Sequence, residues 1–573
     1  MKKLIKRGFR FLLFVILLLP FLFFIDKKKT INDISKMNRI EMYDINDNLF
    51  YTSFNMHEGN YISLCDISPI AQKIIVYSED KRFHNHSGFD IYRILKSIFS
   101  GSSSGASTIT QQYIKNLYLN NERTYKRKLK ELYLSIRLES DYTKSEILEG
   151  YFNTTYFGHN LYGINDASNY YFGHSAKYLT IDEACVLRNL IKSPSKYSPI
   201  LNYEKAYLAR NSLIKSLELE GVISDEEKQI ALKKDLKIVK KRPKLYQDAV
   251  LYFKDIIIKE LKQYNIANDY NQVIKVYTNY IPNLNQKVME IMTENDEDSS
   301  FIGVDKEGYY VSCIGGNNYI ESSFNIALNG KRAIASCAKP LLYYDAILHG
   351  YSNTKLMSSP TSFKTKDKTY SFKNFASIYE NRLISMEEAL SVSDNMYALK
   401  MHTLLKLKGI SRTLKHFGIT EKEDITQAIG TTEMSLSKLL NIYYTFNNNG
   451  LNTSFKAIKY IKINDQAKYI NHQRYKQLLN EKTCKILKEK LGAMFNDYNT
   501  IQKPTGRLIK NKLNTSIRGK SGLDDYNSYM IGFNEEYTFG AWSGYKNMIE
   551  LTDINGKIEP KLMVLNAFNS IYT

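Results

Sequence analysis

Two groups of residues in this chain have the types and spacing to do chemistry. The first lies between Glu79 and Gly158 and falls into four clusters: Glu79-Asp80-Lys81-Arg82-Phe83 with His86, Gly88 and Asp90; Gly105-Ala106-Ser107-Thr108-Ile109-Thr110-Gln111-Gln112 with Lys115 and Asn116; Arg127-Lys128-Leu129-Lys130-Glu131; and Glu149-Gly150-Tyr151-Phe152-Asn153 running on to Gly158. Together they supply carboxylates, several cations and a run of hydroxyl and amide groups. Sugar transfer from a lipid pyrophosphate needs those parts. A base takes the acceptor proton, cations hold the departing phosphates, and polar side chains orient two sugars. The second group comes after residue 330: Ser336-Cys337-Ala338-Lys339, then Ser393-Asp394-Asn395, then Lys520-Ser521-Gly522. A serine, a lysine one helical turn away and further hydroxyl, amide and ammonium groups are the parts of a serine acyl transfer.

These residues need elements to hold them. Residues from about 70 to 235 read mainly as helices with polar connections. In the stretch Glu122–Glu139, for example, Tyr125, Leu129, Leu132 and Ile136 form one apolar stripe. Arg123, Arg127 and Glu131 are spaced four apart and share a helix face, which taken alone is the pattern of a salt-bridge ladder on a solvated helix. Residues from about 240 to 290 carry no recognisable chemistry and read as a connector. From about 300 the text changes to short strand-like runs, Phe301–Val304 and Tyr309–Ile314, then helices. A C-terminal hairpin follows, with Ser528–Phe533 and Tyr537–Tyr545 flanking a polar turn. If Ser336 starts a helix, Lys339 lies on its face one turn on, and a cationic, partly desolvated setting can leave its amine neutral enough to act as a base. Ser393 can then relay a proton to the leaving amine, and Asn395 can hold Lys339 and the substrate amide. Lys520 and Ser521, followed by Gly522, can bind a substrate carboxylate, with the strand backbone and the Ser336 N–H forming an oxyanion hole.

The first group closely resembles the family 51 peptidoglycan glycosyltransferases, whose pattern includes ED-x2-F-x2-H-x-G, G-x-STITQQ-x2-KN and RK-x2-E. The resemblance spans roughly residues 40 to 230 and continues into Tyr171-Phe172-Gly173 and Ser193-Pro194-Ser195-Lys196-Tyr197-Ser198-Pro199. It implies that Glu79 is the general base on the 4-hydroxyl of the acceptor lipid II, and that Glu131 is a second essential carboxylate. Lys115 and Arg123 would neutralise the pyrophosphate of the donor strand, with Ser107, Gln112 and Arg127 binding substrate and His86 a structural hydrogen-bonder. Transfer would invert the donor carbon. The family commonly uses a divalent cation, magnesium, near the pyrophosphate; no dedicated metal ligands and no tightly bound cofactor are identified in this sequence.

The ordered S-x-x-K, S-D-N and K-S-G triple resembles the penicillin-binding and β-lactamase serine acyltransferases. The surroundings, including Lys373-Asn374-Phe375, Ala428-Ile429-Gly430 and Trp542-Ser543-Gly544-Tyr545, resemble the transpeptidase domain of bifunctional class A penicillin-binding proteins. Two departures stand out: Ile334-Ala335 where the family has Pro-Gly, and Leu523 where it has a second threonine after K-T-G. The expected architecture is multi-domain. A cytoplasmic tail and signal anchor (1–30) precede a mainly α-helical, lysozyme-like glycosyltransferase domain (31–240), a connecting segment (241–295), and an α+β, β-lactamase-like serine transpeptidase domain (296–573). The implied partners are lipid II and the growing glycan strand, stem peptides, β-lactams as covalent inhibitors, the cytoplasmic membrane and a cell-wall synthesis complex. The competing expectation is a glycosyltransferase carrying a degenerate, non-catalytic transpeptidase domain.

Bulk properties fit this reading. The chain has 573 residues, 43% hydrophobic and 24% charged, which is globular composition with room for several domains. Its single long apolar run is Phe11–Ile25, preceded by Lys2, Lys3, Lys6, Arg7 and Arg10 and followed by Asp26 and three lysines rather than a cleavage site. It reads as an uncleaved, single-pass anchor that leaves everything from about Lys27 outside the cytoplasm. The formal charge of +20 is spread along the chain with no zinc-finger or basic-zipper pattern, so no nucleic-acid partner is expected. It suits anionic headgroups and a pyrophosphate substrate. The five cysteines are odd in number and widely spaced, which excludes a disulfide framework or a zinc site.

Overall fold

The computed structural model describes residues 39–54, 62–93, 107–118, 125–159, 161–239, 245–264, 273–292, 297–319, 321–364 and 369–572. The apolar run Phe11–Ile25 and the expected phosphate ligand Arg123 lie outside them. Among the described residues no helix is long and apolar enough to cross a membrane. The chain divides into two compact units, one made mainly of residues 52–243 and the other of residues 41–51, 244–266 and 275–573.

The first unit is helical: α1 (Pro69–Asp80), α2 (Ile109–Tyr118), α3 (Tyr125–Asp141), α4 (Lys144–Thr154), α5 (Ile164–Phe172), α6 (Ile181–Lys192), α7 (Tyr203–Leu219) and α8 (Asp225–Lys233). Their starts are written in the sequence. Pro69 opens α1, where a missing N–H costs nothing. Capping boxes, in which a Thr or Ser hydroxyl and a Glu three residues on satisfy each other's backbone donors, open α4 (Thr143, Glu146), α6 (Thr180, Glu183) and α8 (Ser224, Glu227). The helix α1 packs against α6, α2 against α3 and α4, and α6 against α7, around a core that includes Ile74, Ile75, Ile114, Phe152, Leu187 and Leu190.

The helix α3 corrects one expectation. Its buried face carries Glu131, Ser135 and Leu138, whereas Leu129, Leu132 and Ile136 of the apolar stripe are only partly buried. The inward turn of Glu131 and Ser135 is enforced by a close crossing. Gly88, at φ +93°, lies so near α3 that a Cβ there would fall 2.6 Å from the Ser135 carbonyl oxygen. Only glycine fits both demands, which explains the glycine of the H-x-G cluster.

The second unit is α/β. Its main sheet has the order β8-β9-β10-β4-β5, from β4 (Asp298–Asp305), β5 (Tyr310–Ile314), β8 (Arg518–Leu523), β9 (Asn527–Phe533) and β10 (Tyr537–Gly544), with every neighbouring pair antiparallel. One face is covered by α9 (Leu245–Leu261), α10 (Pro282–Met292) and a C-terminal helix, α15 (Ile554–Asn569). Tyr252, Leu284, Val288, Met292, Phe301, Met530, Phe539, Val564 and Phe568 form one core there. The other face takes α14 (Leu436–Asn447), packed so closely on β10 that a Cβ on Gly540 would meet Leu440 and Leu436 at 3.0 and 3.2 Å. A second five-stranded sheet, order β7-β6-β3-β1-β2, joins β1 (Arg39–Tyr43), β2 (Leu49–Phe54), β3 (Val273–Thr278), β6 (Ile458–Ile463) and β7 (Gln466–Ile470).

The stretch 241–295, expected as a connector, therefore holds two core helices and a sheet strand. Leu284, Val288 and Met292, spaced four apart, are the sequence sign of its buried helix. The helix α15, which follows the hairpin, was not expected at all.

Candidate active sites

In the helical unit the clusters are gathered by hydrogen bonds. Glu79 is the penultimate residue of α1, and its neighbour Asp80 is the fastener. The fully buried Asp80 carboxylate accepts from the Ile109 N–H at the start of α2 (3.0 Å), pairs with His86 Nε2 (2.9 Å) and lies 3.5 Å from Arg93. His86 thus contacts the carboxylate next to Glu79. The Glu79 carboxylate, 13% exposed, accepts from Gln112 Nε2 at 3.1 Å on one oxygen and faces Arg188 Nε at 3.4 Å on the other. Behind Gln112 the Tyr151 hydroxyl donates to its Oε1 at 3.4 Å. Burial, and then the charge of Glu79, push that phenol well above its ordinary pKa, so it stays a donor. Lys115 lies one turn beyond Gln112 on α2 and is exposed.

Glu131 is 2% exposed, with Arg127 donating to one oxygen at 2.7 Å and Lys128 to the other. A carboxylate this deeply buried and engaged on both oxygens is not the exposed member of a solvated ladder. Lys128 also donates to Ser107 Oγ at 2.8 Å. The helix α2 therefore links both carboxylates: Ser107 at its entrance belongs to the Glu131 network, and Gln112 one and a half turns later belongs to Glu79. Sequence reasoning missed Lys128, Tyr151 and Arg188. Lys128 belongs to the Arg127–Glu131 cluster and Tyr151 to the Glu149–Gly158 cluster; Arg188, on α6, belongs to none of the four.

Among the described residues no three His, Cys, Asp or Glu side chains converge to hold a metal ion, and both Glu131 oxygens are engaged by cations. Among the described residues the donor set does not fit a dedicated magnesium site.

In the α/β unit, Ser336 sits in a 3₁₀ turn (Ala335–Ala338) that runs into α11 (Lys339–Leu348). The turn is bent by Ala335, at φ +48°, a conformation that costs a non-glycine residue on the order of 1–2 kcal/mol. Hydrogen bonds hold it there: Ala335 N–H to the Gly430 carbonyl at 3.1 Å and Ile334 N–H to the Thr432 carbonyl at 3.0 Å. A Cβ on Gly430 would fall 1.8 Å from the Ala335 oxygen, so no other residue fits at that position. Ser336 remains partly open while Ala335, Cys337, Ala338 and Lys339 around it are buried.

The S-D-N residues form the joint between α12 (Met386–Val392) and α13 (Asn395–Leu404). Ser393 ends the first in the left-handed conformation at φ +59°, and Asp394 caps the second by accepting from the Tyr397 N–H at 2.7 Å. The Asp394 carboxylate also accepts from Ser358 at 2.5 Å and Asn374 at 2.7 Å. Lys339 points at this joint. Its amine donates to the Ser393 carbonyl (2.6 Å), Ser393 Oγ (3.1 Å) and Asn395 Oδ1 (2.8 Å). From the edge strand β8, Lys520 donates to the same Ser393 Oγ at 2.9 Å and to the Ser521 carbonyl at 2.6 Å. Burial, and then the charge of Lys520, hold the Lys339 amine well below the ordinary lysine pKa. Burial brings Lys520 down to about 8. Gly522 lets β8 press on the nucleophile turn, since a Cβ there would sit 3.0 Å from Cys337 Sγ. Leu523, 40% exposed, closes the strand.

Comparison with known proteins agrees with this geometry. Residues 47–218 match the transglycosylase family, and residues 304–546 match the penicillin-binding protein transpeptidase domain. The chain is 35% identical to penicillin-binding protein 2D of Bacillus subtilis (strain 168), over 88% of this chain and 76% of that protein. It is 28% identical to penicillin-binding protein 4 of the same organism, over 94% and 92% respectively. Its fold is similar to the crystal structure of penicillin-binding protein 1A from Haemophilus influenzae, with a TM-score of 0.57 at 15% identity, covering 95% of this chain and 93% of that one. The chain belongs to the bifunctional class A penicillin-binding proteins, the peptidoglycan synthases that carry a transglycosylase and a penicillin-binding transpeptidase on one polypeptide.

Proposed function

We propose that Glu79 is the general base of glycan polymerisation and Ser336 the nucleophile of cross-linking. The observations that support them are that Gln112 clasps Glu79 at the end of α1 and that Lys339 and Lys520 meet on the Ser393 hydroxyl. In polymerisation Glu79 takes the proton of the acceptor lipid II 4-hydroxyl as that oxygen attacks the sugar carbon of the growing strand. The carbon inverts, and the lipid pyrophosphate leaves toward Lys115, Arg127 and, in the segment before α3, Arg123. Glu131 holds Arg127 and Lys128 in place for this. Any magnesium would be held chiefly by the substrate's own phosphates, as this ion commonly is.

In cross-linking, neutral Lys339 accepts the Ser336 proton as Oγ attacks the carbonyl of a D-Ala-D-Ala stem peptide. The proton passes through Ser393 to the leaving D-alanine amine, and an acceptor amine then takes the acyl group from Ser336. Asn395 holds Lys339 and the substrate amide, and Lys520 and Ser521 bind the terminal carboxylate. A β-lactam would be attacked in the same way and stay bound. The complete set of Lys339, Ser393, Asn395 and Lys520 favours a working transpeptidase over a degenerate scaffold. The run Phe11–Ile25 serves as the single-pass anchor that keeps both units on the outer side of the cytoplasmic membrane.

The test is incubation of the detergent-solubilised full chain with lipid II, with and without penicillin. The expected products are cross-linked glycan without the drug and uncross-linked glycan with it. Failure to form glycan in either case would sink the first half of the assignment, and cross-links that persist under penicillin the second. Release from membranes by salt alone, before any detergent, would argue against the anchor.

The two lysines predict a pH profile for Ser336 acylation by penicillin. Lys339 must be neutral, so the rate rises as pH passes its depressed pKa. Lys520 must be charged to attract the carboxylate, so the rate falls above about pH 8. Because the amines interact, both limbs belong to the pair. A rate that kept climbing to pH 10 would remove Lys520 from carboxylate binding.

A further inference from the structure

Arg188 reaches Glu79 from a helix that carries none of the four clusters. It projects from α6, which is fixed by its Thr180–Glu183 capping box and by buried neighbours Leu187, Asn189 and Leu190. One guanidinium nitrogen donates to Asn189 Oδ1 at 3.3 Å, and Nε lies 3.4 Å from Glu79 Oε1, with the two side chains 17% and 13% exposed. The other Glu79 oxygen is bonded to Gln112. We propose that Arg188 is a positioning residue for the polymerisation base, holding the Glu79 carboxylate turned toward the acceptor hydroxyl. The proposal rests on the reading of Glu79 as that base.

A general base has to be aimed, and a free carboxylate on a helix end rotates. With Gln112 donating to one oxygen and the Arg188 guanidinium 3.4 Å from the other, its plane is restrained and lone pairs are left for the acceptor. The other groups packed around this point have separate duties. Gln112 from α2 and Tyr151 from α4 are neutral donors. On the α1 side, one Asp80 oxygen is taken by His86 and Ile109 and the other lies 3.5 Å from Arg93, which also donates to the Glu79 backbone carbonyl at 2.7 Å. The bland alternative is an ion pair that merely ties α6 to α1. Such a pair would affect melting but leave kcat of the folded variant unchanged.

The experiment measures kcat and KM for lipid II polymerisation by the full chain. It compares wild type, Arg188→Ala, Arg188→Lys and Glu79→Gln. In Arg188→Ala kcat should fall about tenfold with KM for lipid II little changed, because a base that is not aimed slows the chemical step and leaves binding alone. Arg188→Lys should recover part of kcat, because an ammonium supplies charge without the planar fork. If Arg188→Ala does not fold, Arg188→Gln, which keeps a donor and loses the charge, should show the same split. Kinetics superimposable on wild type, with Glu79→Gln inactive, overturn the role of Arg188 and leave the base standing. Wild-type polymerisation by Glu79→Gln overturns both.

Discussion

Replacing Ser336 by alanine should abolish penicillin labelling and cross-linking while glycan strands still grow. The nucleophilic oxygen has no substitute. Its neighbours Ala335, Cys337 and Ala338 are buried, and burial pushes the Cys337 thiol up to about 12, so no thiolate takes over. Loss of a serine nucleophile costs on the order of 10⁶ in kcat in serine hydrolases. The turn itself should survive, because its strain lies in the Ala335 backbone and its ties run to the Gly430 and Thr432 carbonyls. The measurement is intact-mass spectrometry after penicillin, alongside glycan and cross-link analysis from lipid II. A penicillin adduct on folded Ser336→Ala protein would show that the nucleophile lies elsewhere.

Glu79→Gln should give the reverse phenotype. Polymerisation is expected to fall by ~10²–10⁴, and penicillin acylation of Ser336 should be unchanged, because the two residues belong to separate compact units. The amide keeps the size of the side chain and can still meet Gln112, but it cannot accept a proton from the acceptor hydroxyl. Retention of penicillin labelling serves as the internal control for folding. Glycan synthesis at the wild-type rate would remove Glu79 from the mechanism.

Much of this was legible in the chain because each piece of chemistry sits in a short, contiguous cluster. Ser336 and Lys339 share a turn, Ser393 and Asn395 flank a helix cap, and Lys520 to Gly522 occupy one edge strand. Local spacing carries such information. What it does not carry is contact between distant segments. Arg188 meets Glu79 across 109 positions of chain, and nothing in the text around Arg188 marks it. Periodicity also misled on α3, where the polar Glu131 and Ser135 turn inward and the apolar stripe does not. A site that needs a buried carboxylate overrides the usual division into apolar inside and polar outside. The helices of 245–292 are silent for a plainer reason: they carry packing residues and no reactive groups.

The Ser393 hydroxyl, 3.1 Å from one lysine amine and 2.9 Å from the other, makes Lys339 and Lys520 a single electrical unit. Two ammonium ions buried this close repel, so the pair favours one surplus proton over two. On the proposed assignment, a substrate carboxylate arriving beside Lys520 pins that proton there. Because burial and the charge on Lys520 already hold the Lys339 amine well below its ordinary pKa, the same proton that attracts the carboxylate also keeps the base free. Recognition and activation then share one charge, held across a single serine hydroxyl.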